Sequence, residues 1–193
     1  MPITLADPID KYDHIRGYQQ APVTLLEYAD FESVYSGQAY VIVGQLQQDL
    51  GDTMRFVFRN FPLTYVYPHA LPAALAAEAA DKQGAFWEMH DLLFEQQYRL
   101  EPEYLIAFAQ VLGLDIERFI VDMTSEVVAG RVRRDFVGGI RSGVDQTPTF
   151  YINGRRHNGS YDYQVLKTAV NDAANRSPRS VKRHKTAGAE RRA

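Results

Sequence analysis

The stretch VTLLEYADFESVYSGQAYVIVGQLQQDLG, residues 23–51, changes its hydrophobic period once along its length. Val23–Ala29 is a short apolar, β-favouring run directly after Pro22, and it reads as a strand. Over residues 36–50 the apolar side chains Ala39, Tyr40, Val43, Leu46 and Leu50 recur at helical spacing, and Gly51 stands where a helix C′ residue belongs. Residues 54–61, MRFVFRNF, alternate Met54, Phe56 and Phe58 with other positions and read as a second strand. Strand, helix, strand in that order favours a right-handed parallel crossover.

Beyond this unit the period becomes helical. The spacing predicts helices over residues 70–82, 86–97, 103–112 and 116–134, the last bending around Gly130. This block, about residues 70–138, has no flexible linker on either side, so it is an insertion into the domain. The end returns to strands over Thr149–Ile152 and residues 155–158, joined by an Asn153-Gly154 hairpin turn. An amphipathic helix over residues 161–175 closes the domain with Tyr163, Leu166 and Val170. The expected organisation is one α/β domain, residues 1–175, with the helical insertion between its second and third strands.

Composition sets limits. The chain has 193 residues, 46% of them hydrophobic and 23% charged, which suits a core that needs no metal or disulfide staple. Seven of the 21 Lys and Arg but one of the 24 acids lie from Arg176 onward, so a tail of net +6 follows a body of net −9. The acidic body argues against nucleic-acid binding. The tail, residues 176–193, lacks an apolar period and is expected to be disordered. No window is long and apolar enough to span a bilayer, and residues 1–13 lack the pattern of a signal peptide. The expected location is therefore cytoplasmic, with no membrane contact. There is no cysteine, which excludes disulfides, thiolate chemistry and cysteine-ligated metals. His69 and His90 are not spaced as a metal pair, and no metal is expected.

The order of elements and several motifs together resemble the DsbA-like thiol-disulfide oxidoreductases, which have a thioredoxin fold. Ala29-Asp30-Phe31-Glu32 is followed by Ser33-Val34-Tyr35-Ser36-Gly37, which looks like the family's Asp-Phe-Glu-Cys-Pro-Tyr-Cys-Gly with both cysteines replaced. Further matches are Phe58-Arg59-Asn60-Phe61-Pro62-Leu63, Phe86-Trp87-Glu88-Met89-His90-Asp91, and Gly143-Val144-Asp145-Gln146-Thr147-Pro148-Thr149-Phe150. The resemblance extends from about residue 14 to residue 174.

The resemblance assigns roles to positions. A cysteine at the first turn of a helix has a depressed pKa, and a second one three residues on resolves the mixed disulfide. Serine at both places offers only hydroxyls, so Ser33 and Ser36 mark the redox positions without redox chemistry. Independently of any family, Ser33 suits a helix N-cap, worth about 1 kcal/mol, and Ser36 a solvent-facing or locally bonded hydroxyl. Glu27 takes the place of the acid that serves proton transfer to the buried cysteine; its alternative is a partly exposed strand-end residue. Pro148 looks like the family's cis-proline, and Thr147 like the residue whose backbone pairs with extended substrates by strand addition. Val34 and Tyr35 complete the substrate-binding set. Tyr65, Tyr67 and Tyr98, with Phe86 and Trp87, are read as packing, although Tyr65 and Tyr67 could line a groove beside this helix.

Three functions follow. The first is a redox-inactive scaffold that binds peptides or proteins of the thiol/disulfide-substrate type. The second is a glutathione-dependent transferase or isomerase, because Ser33-Val34-Tyr35-Ser36 also resembles the Ser-Pro-Tyr-Ser segment of kappa-class glutathione transferases; Ser33 would then donate to the thiolate of glutathione as co-substrate. The third is a cysteine-to-serine variant of an active disulfide oxidoreductase. No other cofactor is implied, and the oligomeric state is open.

Overall fold

The strand Val23–Ala29 is buried along its whole length because it is the middle of the sheet, with a partner on each side. The computed structural model describes residues 4–176. Its elements are β1 (His14–Gly17), β2 (Val23–Ala29), α1 (Val34–Leu50), β3 (Met54–Asn60), α2 (Ala70–Asp81), α3 (Phe86–Glu95), α4 (Pro102–Val111), α5 (Ile116–Met123), α6 (Glu126–Ser142), β4 (Thr149–Ile152), β5 (Arg155–Arg156) and α7 (Tyr163–Arg176). The sheet runs β1-β3-β2-β4-β5, with β2 and β3 parallel and the other neighbours antiparallel. This is the α/β thioredoxin-like architecture, with the helical insertion between the MRFVFRN strand and Thr149–Ile152.

Strand period divides the core in two. Val23, Leu25 and Ala29 share one face of the sheet with Met54, Phe56, Phe58 and Phe150. That face packs against α1, α7 and the helices α2 to α5, whose buried alanines on α2 permit close approach. Leu26 and Tyr28 point the other way with Val57 and Tyr151, towards Phe61, Val144 and Phe136 of α6. On this second face Arg59 is 2% exposed and fully engaged. Its Nε and Nη2 donate to the two Asp13 carboxylate oxygens at 2.7 and 2.9 Å, and its Nη1 donates to the Tyr28 hydroxyl at 2.9 Å.

Three departures from the sequence reading have local causes. β1 was not expected, since HIRG offers one aliphatic residue and no alternation; its pairing with β3 supplies what its sequence lacks. With β1 counted, the insertion follows the third strand. Residues 116–134 are not one bent helix: α5 stops at Met123, and Ser125 caps a new helix by accepting from the Val128 N–H at 3.3 Å. Gly130 lies inside α6, which runs to Ser142 and ends at Gly143 with φ 84°. β5 is also shorter than expected, two residues rather than four. The basic tail expected over residues 176–193 lies, beyond Arg176, outside the described residues. Among the described residues no helix is long and apolar enough to cross a membrane.

Candidate functional site

The site is built where β2 ends and α1 begins. Asp30 fixes the connecting loop: its two carboxylate oxygens accept from the N–H of Glu32 at 2.8 Å and of Leu63 at 2.7 Å. Burial nevertheless pushes its carboxyl up to about 6. Ser33 is the N-cap of α1, with extended backbone and its Oγ accepting from the Ser36 N–H at 3.4 Å. The same hydroxyl donates to the carbonyl of Thr147, also at 3.4 Å. Both roles of the Ser33 side chain are thus occupied, and the residue is 1% exposed.

Ser36 is locally bonded, accepting from the Asp30 N–H at 3.4 Å, but it is fully buried rather than solvent-facing. Val34 and Tyr35, between the two serines, are more than half exposed. Across from them the Thr147–Pro148 peptide bond is cis. Thr147 is nearly buried, and its Oγ1 has no hydrogen-bond partner among the described residues. The structure therefore brings Ser33, Ser36, Val34, Tyr35, Thr147 and Pro148 to one end of the sheet. A groove of about 500 Å³ runs alongside, lined by Tyr35, Gln146, Thr147, Pro148 and Tyr161 among others.

Glu27 is not a partly exposed strand-end residue. It lies mid-sheet between Phe58 on β3 and Phe150 on β4, 2% exposed, with no partner for Oε1 among the described residues. Burial pushes its carboxyl up to about 8, so it is protonated at neutral pH.

Two supports escaped the sequence reading. Gln97, just past α3, donates through Nε2 to the carbonyls of Phe31 at 2.7 Å and Ser33 at 2.8 Å. A Cβ at Gly37 would stand 2.4 Å from Gln97 Oε1, so this bracing explains the glycine. His90 is enclosed by aromatic rings, including Phe58 with centroids 4.6 Å apart and Phe94 at 5.1 Å. Burial holds it down to about 4, hence neutral. Its Nδ1 is 2.8 Å from Asp91, which Arg16 grips with both Nη atoms at 2.7 and 3.1 Å. Arg16 is 75 residues from Asp91, a separation that no local pattern reveals.

Of the tyrosines read as packing, Tyr65 and Tyr98 are strongly exposed instead. Tyr67 lines a shallow groove with Glu32, Val34 and Tyr98 beside the start of α1. His69 reaches into the same groove and meets Glu32 at 3.0 Å. Phe86 and Trp87 pack into the core as expected. Three potential metal ligands meet elsewhere, at His14, Glu78 and Asp81. His14 Nε2 already touches Glu78 at 2.9 Å, and Arg131 approaches that acid's other oxygen at 3.5 Å. We read this cluster as an ion-pair network.

The geometry at α1 presents a helix N-terminus to whatever side chain caps it. A serine hydroxyl stays protonated there, and with no cysteine in the chain these residues offer no thiol for disulfide exchange. The chain belongs to the thioredoxin family as a DsbA-like member lacking the cysteines: the profile of the thioredoxin family matches residues 10–172. It is similar in structure to BdbD from Bacillus subtilis, with a TM-score of 0.77, 24% identity, and coverage of 91% of this chain and 100% of that one. A thioredoxin-like oxidoreductase from Silicibacter pomeroyi DSS-3 is similar with a TM-score of 0.78, 25% identity, and coverage of 87% and 95%. In sequence it is similar to a protein named Na(+)/H(+) antiporter NhaA 3 from Salinispora tropica, 48% identical over 172 residues, which are 89% of this chain and 26% of that protein. A Na(+)/H(+) antiporter NhaA from Herminiimonas arsenicoxydans is 45% identical over 181 residues, 93% of this chain and 28% of that protein. The chain spans about a quarter of the length of the curated relatives it matches.

Proposed function

We propose that this domain binds extended peptide or protein segments without redox turnover, along the Thr147–Pro148 edge and over Val34 and Tyr35. The observation that carries the reading is the groove of about 500 Å³ between Tyr35 and Thr147, next to apolar side chains left open to solvent. A peptide lying there extends the sheet from the start of β4 by backbone hydrogen bonding, which needs no sulfur. The relatives named as Na(+)/H(+) antiporters support a membrane-transport protein as the partner class. The expected cytoplasmic location belongs to the same proposal, and cleavage of the chain by protease outside intact cells would count against it.

The glutathione reading gains no such support, because the Ser33 hydroxyl is buried and already shared between Ser36 and Thr147. One titration separates the two. Isotope-labelled protein is followed by NMR while an unstructured, cysteine-free apolar peptide is added, and then, separately, glutathione. The peptide is expected to shift Val34, Tyr35, Gln146 and Thr147 saturably, and Tyr35→Ala to weaken it. Saturable shifts with glutathione alone would replace this reading with the enzymatic one, and no response to peptide at millimolar concentration would end it.

A further inference from the structure

Glu27 takes no part in the proposed peptide contact, and it opens onto a different cavity. This cavity, about 590 Å³, lies between α1 and the sheet and is lined by Glu27, Tyr40, Gly44, Phe56, His90 and Phe94 among others. That volume falls in the range of small-molecule sites. Four features give it chemical character. The Glu27 carboxyl is almost wholly buried, yet its Oε1 has no partner among the described residues, which is costly unless something supplies one. His90 is neutral and its Nδ1 is committed to the Asp91 carboxylate, so Nε2 is left as an acceptor. Phe56, Phe94 and Tyr40 supply aromatic surface. Finally, a Cβ built on Gly44, in the middle of α1, would meet nothing within 4 Å, so the glycine opens the wall without serving any close packing.

A carboxyl and a ring nitrogen beside aromatic side chains suit a ligand with a cationic donor head. Arg16 is the cation lining the cavity, and both of its Nη atoms are held by Asp91. We propose that this cavity binds a small organic cation, a primary ammonium on an aromatic or other apolar body, with Glu27 as its carboxylate partner. Besides Glu27 from β2, the titratable groups lining the cavity are Arg16 from β1, Tyr40 from α1 and His90 from α3; β3 contributes Phe56. Without ligand, burial keeps Glu27 protonated at neutral pH. Binding of the ammonium ionises it, and the carboxyl proton passes to the buffer, close to one proton per ligand at pH 7.

The test uses benzylammonium chloride as probe and benzyl alcohol as its neutral twin, titrated calorimetrically into the full chain in phosphate and in Tris. For so few ligand atoms the expected Kd is about 1 mM. The expected result is binding whose heat differs between buffers as proton release requires, with the alcohol roughly tenfold weaker or more. Gly44→Leu fills the cavity from a position with room for a side chain and should abolish binding without lowering the melting temperature. Glu27→Gln should weaken binding roughly tenfold and remove the buffer dependence. Absence of saturable binding, equal binding of the alcohol, or undiminished binding in Gly44→Leu would each overturn the proposal. If Glu27→Gln does not fold, the Gly44→Leu result alone decides. Peptide binding at Thr147 should survive Gly44→Leu, so the two proposals fail separately.

Discussion

The two faces of the sheet each bury an acid, and they treat it in opposite ways. On one face Asp13 is clamped by Arg59 through two hydrogen bonds, and Arg59 is held in turn by Tyr28 and by the carbonyls of Asp7 and Pro8. On the other, Glu27 stands between two phenylalanines with one oxygen unpaired among the described residues. Both acids are buried, so burial alone does not separate them. Partners do: Arg59 donates to both oxygens of Asp13, while Glu27, with no partner for Oε1 among the described residues, keeps its proton. The first arrangement ties the N-terminal segment to the sheet, and the second leaves a carboxyl oxygen without a partner among the described residues.

The largest effect should come from breaking the clamp. Arg59→Met strands a buried carboxylate and should cost about 3–5 kcal/mol of unfolding free energy, read by denaturant titration. A loss below about 1 kcal/mol would mean that Asp13 is solvated and the contrast between the faces is false.

The next effect is a pH dependence. Glu27, Asp30 and Asp135 all have carboxyls raised by burial, to about 8, 6 and 6, so each favours the folded state at low pH and loses that contribution as pH rises through its folded value. His90, depressed to about 4, acts in the other direction: its contribution is complete above its ordinary value of 6.5 and is lost as pH falls towards 4. These trends oppose one another below 6.5, but between 6.5 and 8 Glu27 stands alone among the four. Stability should fall there by about 2 kcal/mol, and Glu27→Gln should flatten the slope. A wild-type curve that is level across this window would show that Glu27 is ionised or hydrated.

The smallest effect sharpens the same comparison. Tyr28→Phe removes one acceptor from Arg59 and leaves the Asp13 clamp intact, so it should cost only about 1 kcal/mol by thermal melting. A loss as large as that of Arg59→Met would move the weight of the network from the carboxylate to the phenol.

Much of this was legible in the sequence, for physical reasons. The long strands and α1 announce themselves because both faces of the sheet are covered and one stripe of the helix is buried, so period follows burial. Ser33 as a cap and Asn153-Gly154 as a turn are local choices, and local choices leave local marks. β1 was hidden because four residues paired at one edge have no periodicity to show. The break between α5 and α6 was misplaced because Gly130 looked like the weak point, whereas Ser125 had the hydroxyl to begin a helix. Arg16 with Asp91 and Gln97 with Ser33 were invisible, since their partners meet only after the insertion has docked.

Gln97 gives that docking a mechanical meaning. One amide from the insertion holds two carbonyls at the start of α1, while Gly37 leaves it no slack. One side chain from the insertion thus sets where Ser33 stands, like a pin between two parts.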